Sequence, residues 1–308
     1  MQIAILGATS EIAKDLIYSF SQHSNHQLTL YARRPQAVLD WLLGIGLVNK
    51  FTVKYLDEFS ESYYFDALIN FVGVGNPAQA LLMGSSILDI TYKYDEIALK
   101  YLQKHTKCRY IFLSSGAAYG ASFNEPANEK TASIIPINHL QEQDWYGIAK
   151  LYTECRHRAL PGHAIVDIRL FNYFSHTQNM DARFLMADIV RAIRAGSTLK
   201  TSDEYIVRDY IGADDFYNLI VSILNTDPRN SVVDTYSRSP IDKPSLLKIM
   251  IDRYGLRHEV YKNLKKVDAT GAKPYYFSLN HRAQEFDYFP EFSSEEVITN
   301  AFDNLVKK

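Results

Sequence analysis

Cysteine is scarce. Cys108 and Cys155 are the only two in 308 residues, too few and too far apart for a metal-ligand spacing or a disulfide framework. One falls in a predicted buried strand and the other in a predicted helix, so both are read as small apolar residues. An excess of either charge is also missing. With 33 Lys+Arg against 35 Asp+Glu, composition gives no sign of a nucleic-acid or membrane-surface binder, although a local basic cluster can still hold a small anion. Long apolar runs are absent as well. The opening "MQIAILGATSEIAKDLIYSF" has no basic stretch before it, and Glu11, Lys14 and Asp15 interrupt it before a signal peptide or membrane span is complete. A cytoplasmic protein is expected, with no nucleic-acid, membrane or metal partner. No short repeat or low-complexity segment is visible.

What is present is alternation. Short apolar runs alternate with longer amphipathic ones through the first half, the pattern of βαβ units on a parallel sheet. Strands are predicted at "QIAILG", "QLTLYA", "FTVKYL", "DALINFVG", "RYIFLSS" and "AIVDIRLFN", with helices near 11–22, 35–44, 85–105 and 143–158. All-apolar stretches such as "IAIL" and "YIFL" suit a sheet covered on both faces. After Asn172 the pattern changes, with helices predicted at 181–195, 213–225 and 243–254, a strand at "VVDTYS", and a helix start at Ser293/Ser294 followed by Glu296. The expected fold is α/β, a doubly wound parallel sheet with a smaller C-terminal lobe. The larger unit takes 1–169 plus about 206–235, and the smaller takes about 170–205 plus 236–308.

"AILGATSEIAKDL" joins the first strand to the first helix, the setting of a dinucleotide-binding turn. Gly7 permits the tight turn, and Thr9, Ser10 and Ile12 lie where a helix N-terminus offers N–H groups to a pyrophosphate. The glycine fingerprint is degraded, because Ser10 and Ala13 stand at its second and third positions. Ser10 is still small and can donate a hydrogen bond, and Ala13 still allows close helix–sheet packing. Past the second strand an acidic residue usually holds the cofactor's ribose. Here Arg33 and Arg34 follow "LTLYA", and a guanidinium pair suits a 2′-phosphate, which points to NADP rather than NAD. Asp57, after "KYL", is either a partner for the adenine amino group or an ordinary strand-end aspartate.

A second group of residues carries chemistry. "SSGAAYG" ends the predicted central strand, and "YGIAK" follows, with Tyr146 and Lys150 one helical turn apart on the same face. A phenol titrates near 10, so Tyr146 is a weak base unless the Lys150 charge favours its phenolate. Ser115, at the carboxyl edge of the strand, can polarise a carbonyl or alcohol at the place where open α/β sheets bind ligands.

Together "GATSEIA", "SSGAAYG", "YGIAK", "IRLFN", "VRDYIGADD" and "EFDYFPEFSSEE" make the chain resemble the extended short-chain dehydrogenase/reductase family. This is the family of nucleotide-sugar epimerases, dehydratases and reductases, and the resemblance covers most of the chain. It implies a Rossmann-like cofactor domain and a substrate-binding lobe. Ser115, Tyr146 and Lys150 fall on the family's catalytic positions. The resemblance makes Tyr146 the proton donor or acceptor, and Lys150 the holder of the nicotinamide ribose. Asn172 and Arg208 match residues that contact a nucleotide-sugar diphosphate, and Arg183 is a candidate second phosphate contact. Asp214 and Asp215 are read as starting and capping a helix. The resemblance also implies a homodimer through helices 85–105 and 143–158.

Two departures narrow the chemistry. The 4,6-dehydratases of this family place Asp-Glu directly after the catalytic hydroxyl, where this chain has Gly116 and Ala117. The turn after Asn172 reads "SHTQ" instead of Gly-Pro-Gly-Gln, and His176 within it is read as a solvated loop residue. The expectation is an NADP-dependent oxidoreductase, a 4-keto reductase of a nucleotide-diphospho-sugar. An NAD-retaining 4-epimerase is one alternative, and a non-catalytic NADP-binding scaffold of the same fold is the other.

Overall fold

The computed structural model describes residues 1–73, 80, 82–120, 122–182, 184–262 and 273–306. Its centre is a seven-stranded parallel sheet. In chain order the first elements are β1 (Gln2–Leu6), α1 (Glu11–His23), β2 (Gln27–Ala32), α2 (Pro35–Gly44), β3 (Thr52–Tyr55), β4 (Ala67–Asn70) and α3 (Ser86–Lys104). They are followed by β5 (Arg109–Ser115), α4 (Asp144–Arg158) and β6 (Ile165–Leu170), then by the two-residue β7 (Asn172–Tyr173), α5 (Leu185–Ala195), β8 (Thr198–Ser202), β9 (Val207–Arg208) and β10 (Tyr210–Ile211). The last are α6 (Ala213–Asn225), β11 (Ser231–Asp234), β12 (Ile241–Asp242), α7 (Lys243–Tyr254), β13 (Arg257–Tyr261), β14 (Tyr275–Tyr276) and α8 (Ser294–Val306). The sheet order is β11-β6-β5-β4-β1-β2-β3, which reverses between β1 and β4 and opens a crevice at their carboxyl ends.

Alternation along the strands builds two cores. Ile3 and Ile5 of β1 pack with Ala13, Leu16, Ile17 and Phe20 of α1. Ala4 and Leu6 point the other way, toward Ala98, Leu99 and Leu102 of α3. In α1 the apolar spacing 13, 16, 17, 20 is one helical stripe, which explains why this stretch is a helix lying on the sheet. A third core gathers Phe174, Met186, Val190, Leu246, Met250 and Phe302, from segments on both sides of α6. Ala283, Phe286 and Tyr288 from the C-terminal part pack instead into the core beneath α1.

Some details differ from the sequence reading. The helix expected from 181 begins at Leu185, because the preceding residues form turns. Gly212, not an aspartate, is the N-cap of α6. Asp215 is buried and accepts the N–H groups of Glu291 (2.8 Å) and Phe292 (3.2 Å), so it tethers the chain ahead of α8. Cys108 is buried as expected, but Cys155 is exposed, on the outer side of α4. Among the described residues no helix is long and apolar enough to cross a membrane.

Candidate active site

β5 delivers two adjacent hydroxyls to its carboxyl edge, and strand alternation sends them apart. Ser114 is buried and donates to Glu154 on α4 (2.5 Å). Ser115 faces the crevice, and its Oγ accepts the N–H of Ala117 (3.2 Å) as the chain turns into a short 3-10 helix, Gly116–Tyr119. Gly116 has no room for a side chain, since a Cβ there would lie 2.5 Å from the Phe171 ring. A carboxylate cannot be accommodated at this position without moving Phe171.

α4 brings Tyr146 and Lys150 to the same edge. The Lys150 ammonium donates to the carbonyl of Leu113 (2.7 Å) and sits 5.9 Å from the centre of the Tyr146 ring. Burial pulls the Lys150 pKa down to about 8, and Glu154, Asp167 and Asp95 act against that fall. Gly73, after β4, is a close neighbour, where a Cβ would come 3.5 Å from Lys150 Nζ. The Tyr146 phenol lies beside Ser115, whose hydroxyl acts on its ionisation. The phenol is not lowered as the Tyr–Lys spacing suggests. Burial raises it, and the Ser115 hydroxyl is what draws it back down.

The nucleotide end lies at the carboxyl edge of β1, β2 and β3. Gly7 has φ +84°, and a Cβ there would meet the backbone of Phe71 and Val72 at 2.9 Å, so only glycine fits this turn. The N–H groups of Gly7 and Ala8 are both spent on the Tyr31 carbonyl (2.9 and 3.0 Å), which leaves the start of α1 as the anion-binding feature. Ser10 is the N-cap of α1 and its side chain makes no cap bond; Thr9, Ser10 and Ile12 are all partly exposed. Ala13 is fully buried against the sheet. Arg33 and Arg34 are exposed directly after β2, and Asp57 is exposed in the turn that follows β3. A tight glycine turn, an open helix N-terminus and two exposed guanidinium groups fit a phosphate-bearing dinucleotide.

The predicted substrate residues are engaged by the C-terminal part of the chain. Asn172 donates to the carbonyls of Asp209 and Tyr276 (3.1 Å each). Arg208 donates to the carbonyls of Val207 and Lys273 (2.8 Å each) and of Pro274 (3.3 Å). Arg183 lies outside the described residues, and His176 is exposed. Sequence reasoning missed Tyr276, whose phenol oxygen is 3.3 Å from Ser115 Oγ. Its ring lies 4.8 Å from the Lys273 ammonium, 5.9 Å from the Arg208 guanidinium, and against Phe123 and Phe171. The only signal was the aromatic cluster "PYYF", with no spacing that links it to a serine 161 residues away.

The model of the NAD dependent epimerase/dehydratase family matches residues 3–235. No curated protein matches in sequence. Among solved structures, UDP-glucose 4-epimerase of Thermotoga maritima with UDP-glucose is similar at TM-score 0.81 and 16% identity, over 100% of this chain and 99% of that one. UDP-glucuronic acid 4-epimerase of Bacillus cereus with NAD is similar at TM-score 0.77 and 16% identity, over 100% and 99%. dTDP-glucose 4,6-dehydratase of Bacillus anthracis with NAD is similar at TM-score 0.79 and 14% identity, over 100% and 97%. At these identities the likeness is one of fold.

Proposed function

The chain belongs to the NAD dependent epimerase/dehydratase family, and from that premise we propose that it oxidises and re-reduces C4 of a nucleotide-diphospho-sugar, as a 4-epimerase. The convergence of Ser115, Tyr146 and Lys150 at the carboxyl edge of the sheet carries this reading. The absence of space at Gly116 for the dehydratase acid argues against elimination of water. The similar structures that are named 4-epimerases support the same direction.

Gly7, Thr9, Ser10, Ile12, Arg33, Arg34 and Asp57 would hold the dinucleotide, with Tyr146 and Lys150 at its far end. When bound, the nicotinamide supplies hydride acceptance and return at C4. Tyr146 takes the proton from the sugar oxygen during oxidation and gives it back on reduction. Ser115 donates a hydrogen bond to that oxygen as charge develops on it. Lys150, protonated below about pH 8, places its charge beside the phenol and would hold the ribose of the bound dinucleotide. Asn172 and Arg208 would take the diphosphate, Arg208 by exchanging carbonyl partners for phosphate oxygens.

A second reading is favoured by one observation, the exposed Arg33 and Arg34 at the end of β2. They suit NADPH, and with it a 4-keto reductase that protonates the product alkoxide through Tyr146. A panel of nucleotide-hexoses and nucleotide-4-keto-sugars separates the two. The 4-epimerase converts a hexose to its C4 epimer with no net cofactor consumption and carries NAD as purified. The reductase oxidises one NADPH per ketone, and Arg33→Asp weakens NADPH far more than NADH. If no nucleotide-sugar in the panel is turned over in either direction, both readings fail.

A further inference from the structure

We infer that Tyr276 is a positioning residue of the catalytic site, which donates its hydroxyl proton to Ser115 and so aims the Ser115 proton at Tyr146. The inference deepens the proposed function and rests on its reading of Tyr146 as the proton-transfer group.

A serine hydroxyl has one proton to give and two lone pairs. At Ser115 one lone pair already takes the N–H of Ala117 (3.2 Å). Two phenols compete for what remains, Tyr276 at 3.3 Å and Tyr146. Before a sugar oxygen is present to take the Ser115 proton, a Tyr146 phenolate can only accept, so Ser115 donates to it. The second lone pair of Ser115 is then left for the Tyr276 O–H. The resulting order, Tyr276 to Ser115 to Tyr146, leaves no donor or acceptor of Ser115 unmatched. Hydrogen bonds in such a chain polarise one another, so the outer phenol strengthens the donor that meets the phenolate.

Tyr276 is fixed for this task from several sides. Its carbonyl accepts from Asn172 (3.1 Å), and β14 pairs with β9 at Arg208. The next residues are tied to the chain at Ala127 through Phe277 O (2.9 Å) and Leu279 N (2.7 Å). Ser278 donates to Asp234 at the end of β11 (2.5 Å). The charged and titratable groups facing the phenol are Arg208 from β9, Lys273 from its own segment and Tyr146 from α4. Burial raises the Tyr276 phenol far above its usual range, which keeps it a proton donor at working pH. Facing Tyr146 are Ser115, Tyr276 and Lys150, and facing Lys150 are Glu154, Asp167 and Asp95.

The test is an NMR titration of tyrosine labelled at the oxygen-bearing ring carbon, with Tyr146 assigned by its loss in Tyr146→Phe. Tyr276→Phe keeps the ring against Phe123, Phe171 and the two cations and removes only the donor. The Tyr146 ionisation should then rise by about one pH unit. In a Ser115→Ala background the same change should have no further effect. Ring-fluorinated tyrosine at 276, a stronger donor, should move the Tyr146 ionisation down, which keeps the test informative if Tyr276→Phe folds poorly. An unmoved Tyr146 in Tyr276→Phe, or an undiminished shift without Ser115, overturns the inference. Because the titration needs no turnover, an inactive wild type counts against the proposed function alone.

Discussion

His157 lies on the same helix as Tyr146 and Lys150, fully buried, with Nδ1 2.6 Å from Asp167 and Nε2 2.7 Å from Asp95. Burial opposes its charge, but the two carboxylates outweigh burial and raise its pKa to about 9. A base whose folded pKa is raised stabilises the fold fully below its unfolded value, near 6.5, and loses that stabilisation as pH rises through about 9. Lys150 has the opposite sign. Its pKa is depressed to about 8, so its buried charge costs stability below that pH, and the cost is relieved between about 8 and the unfolded value near 10.4. His157→Leu leaves Asp95 and Asp167 without the cation between them and should cost about 3 kcal/mol at neutral pH. The gap between wild type and variant, followed by thermal unfolding, should narrow as pH rises from about 6.5 to about 9. A gap that stays constant from pH 6 to about 10 would show that the charge on His157 contributes nothing.

At the scale of elements, α3 and α4 pack together and leave an aromatic outer face. Tyr92 and Tyr152 are exposed and stacked at 6.5 Å, with the Arg156 guanidinium 4.5 Å from the Tyr92 ring and bonded to Asp95 and Glu96. Two copies are expected to bury this face as a four-helix bundle. Sedimentation should give the mass of two chains, and Tyr152→Glu should shift it to one. A wild-type monomer at micromolar concentration would remove the dimer.

The elements that sequence read closely were those set by local rules. α2 begins at Pro35, and α7 carries Asp242 as N-cap on Ser245 (2.7 Å) with Pro244 in its first turn. At α8 the Ser293 N–H donates to Glu296 (2.7 Å), the box that its spacing announced. The placement of Ser115, Tyr146 and Lys150 at one edge was legible for the same reason, as a strand end and an i, i+4 pair. The two-residue strands β7, β9, β10, β12 and β14 were not, because non-local pairing alone defines them. Tyr276 comes with β14, and it stayed hidden with it. The direction of the Tyr146 shift was missed too, since spacing records the neighbouring charge but not the burial that opposes it.

Across the whole molecule one buried polar chain joins the helix of Tyr146 to the segment of Tyr276. Glu154 on α4 takes Ser114 (2.5 Å) and Arg169 of β6 (2.6 Å); Arg169 reaches Asp234 of β11 (3.7 Å), which accepts from Tyr119 (2.8 Å) and Ser278 (2.5 Å). Sheet, helix and C-terminal segment thus meet around Ser115, with Tyr146 and Tyr276 beside it. The rate of C4 conversion by Tyr146→Phe, with cofactor binding measured on the same sample, tests that centre most directly. Loss of the phenol oxygen should lower turnover by about 10²–10⁴-fold while cofactor affinity holds. Turnover within a few-fold of wild type, with the cofactor bound, would mean that the proton moves through another group.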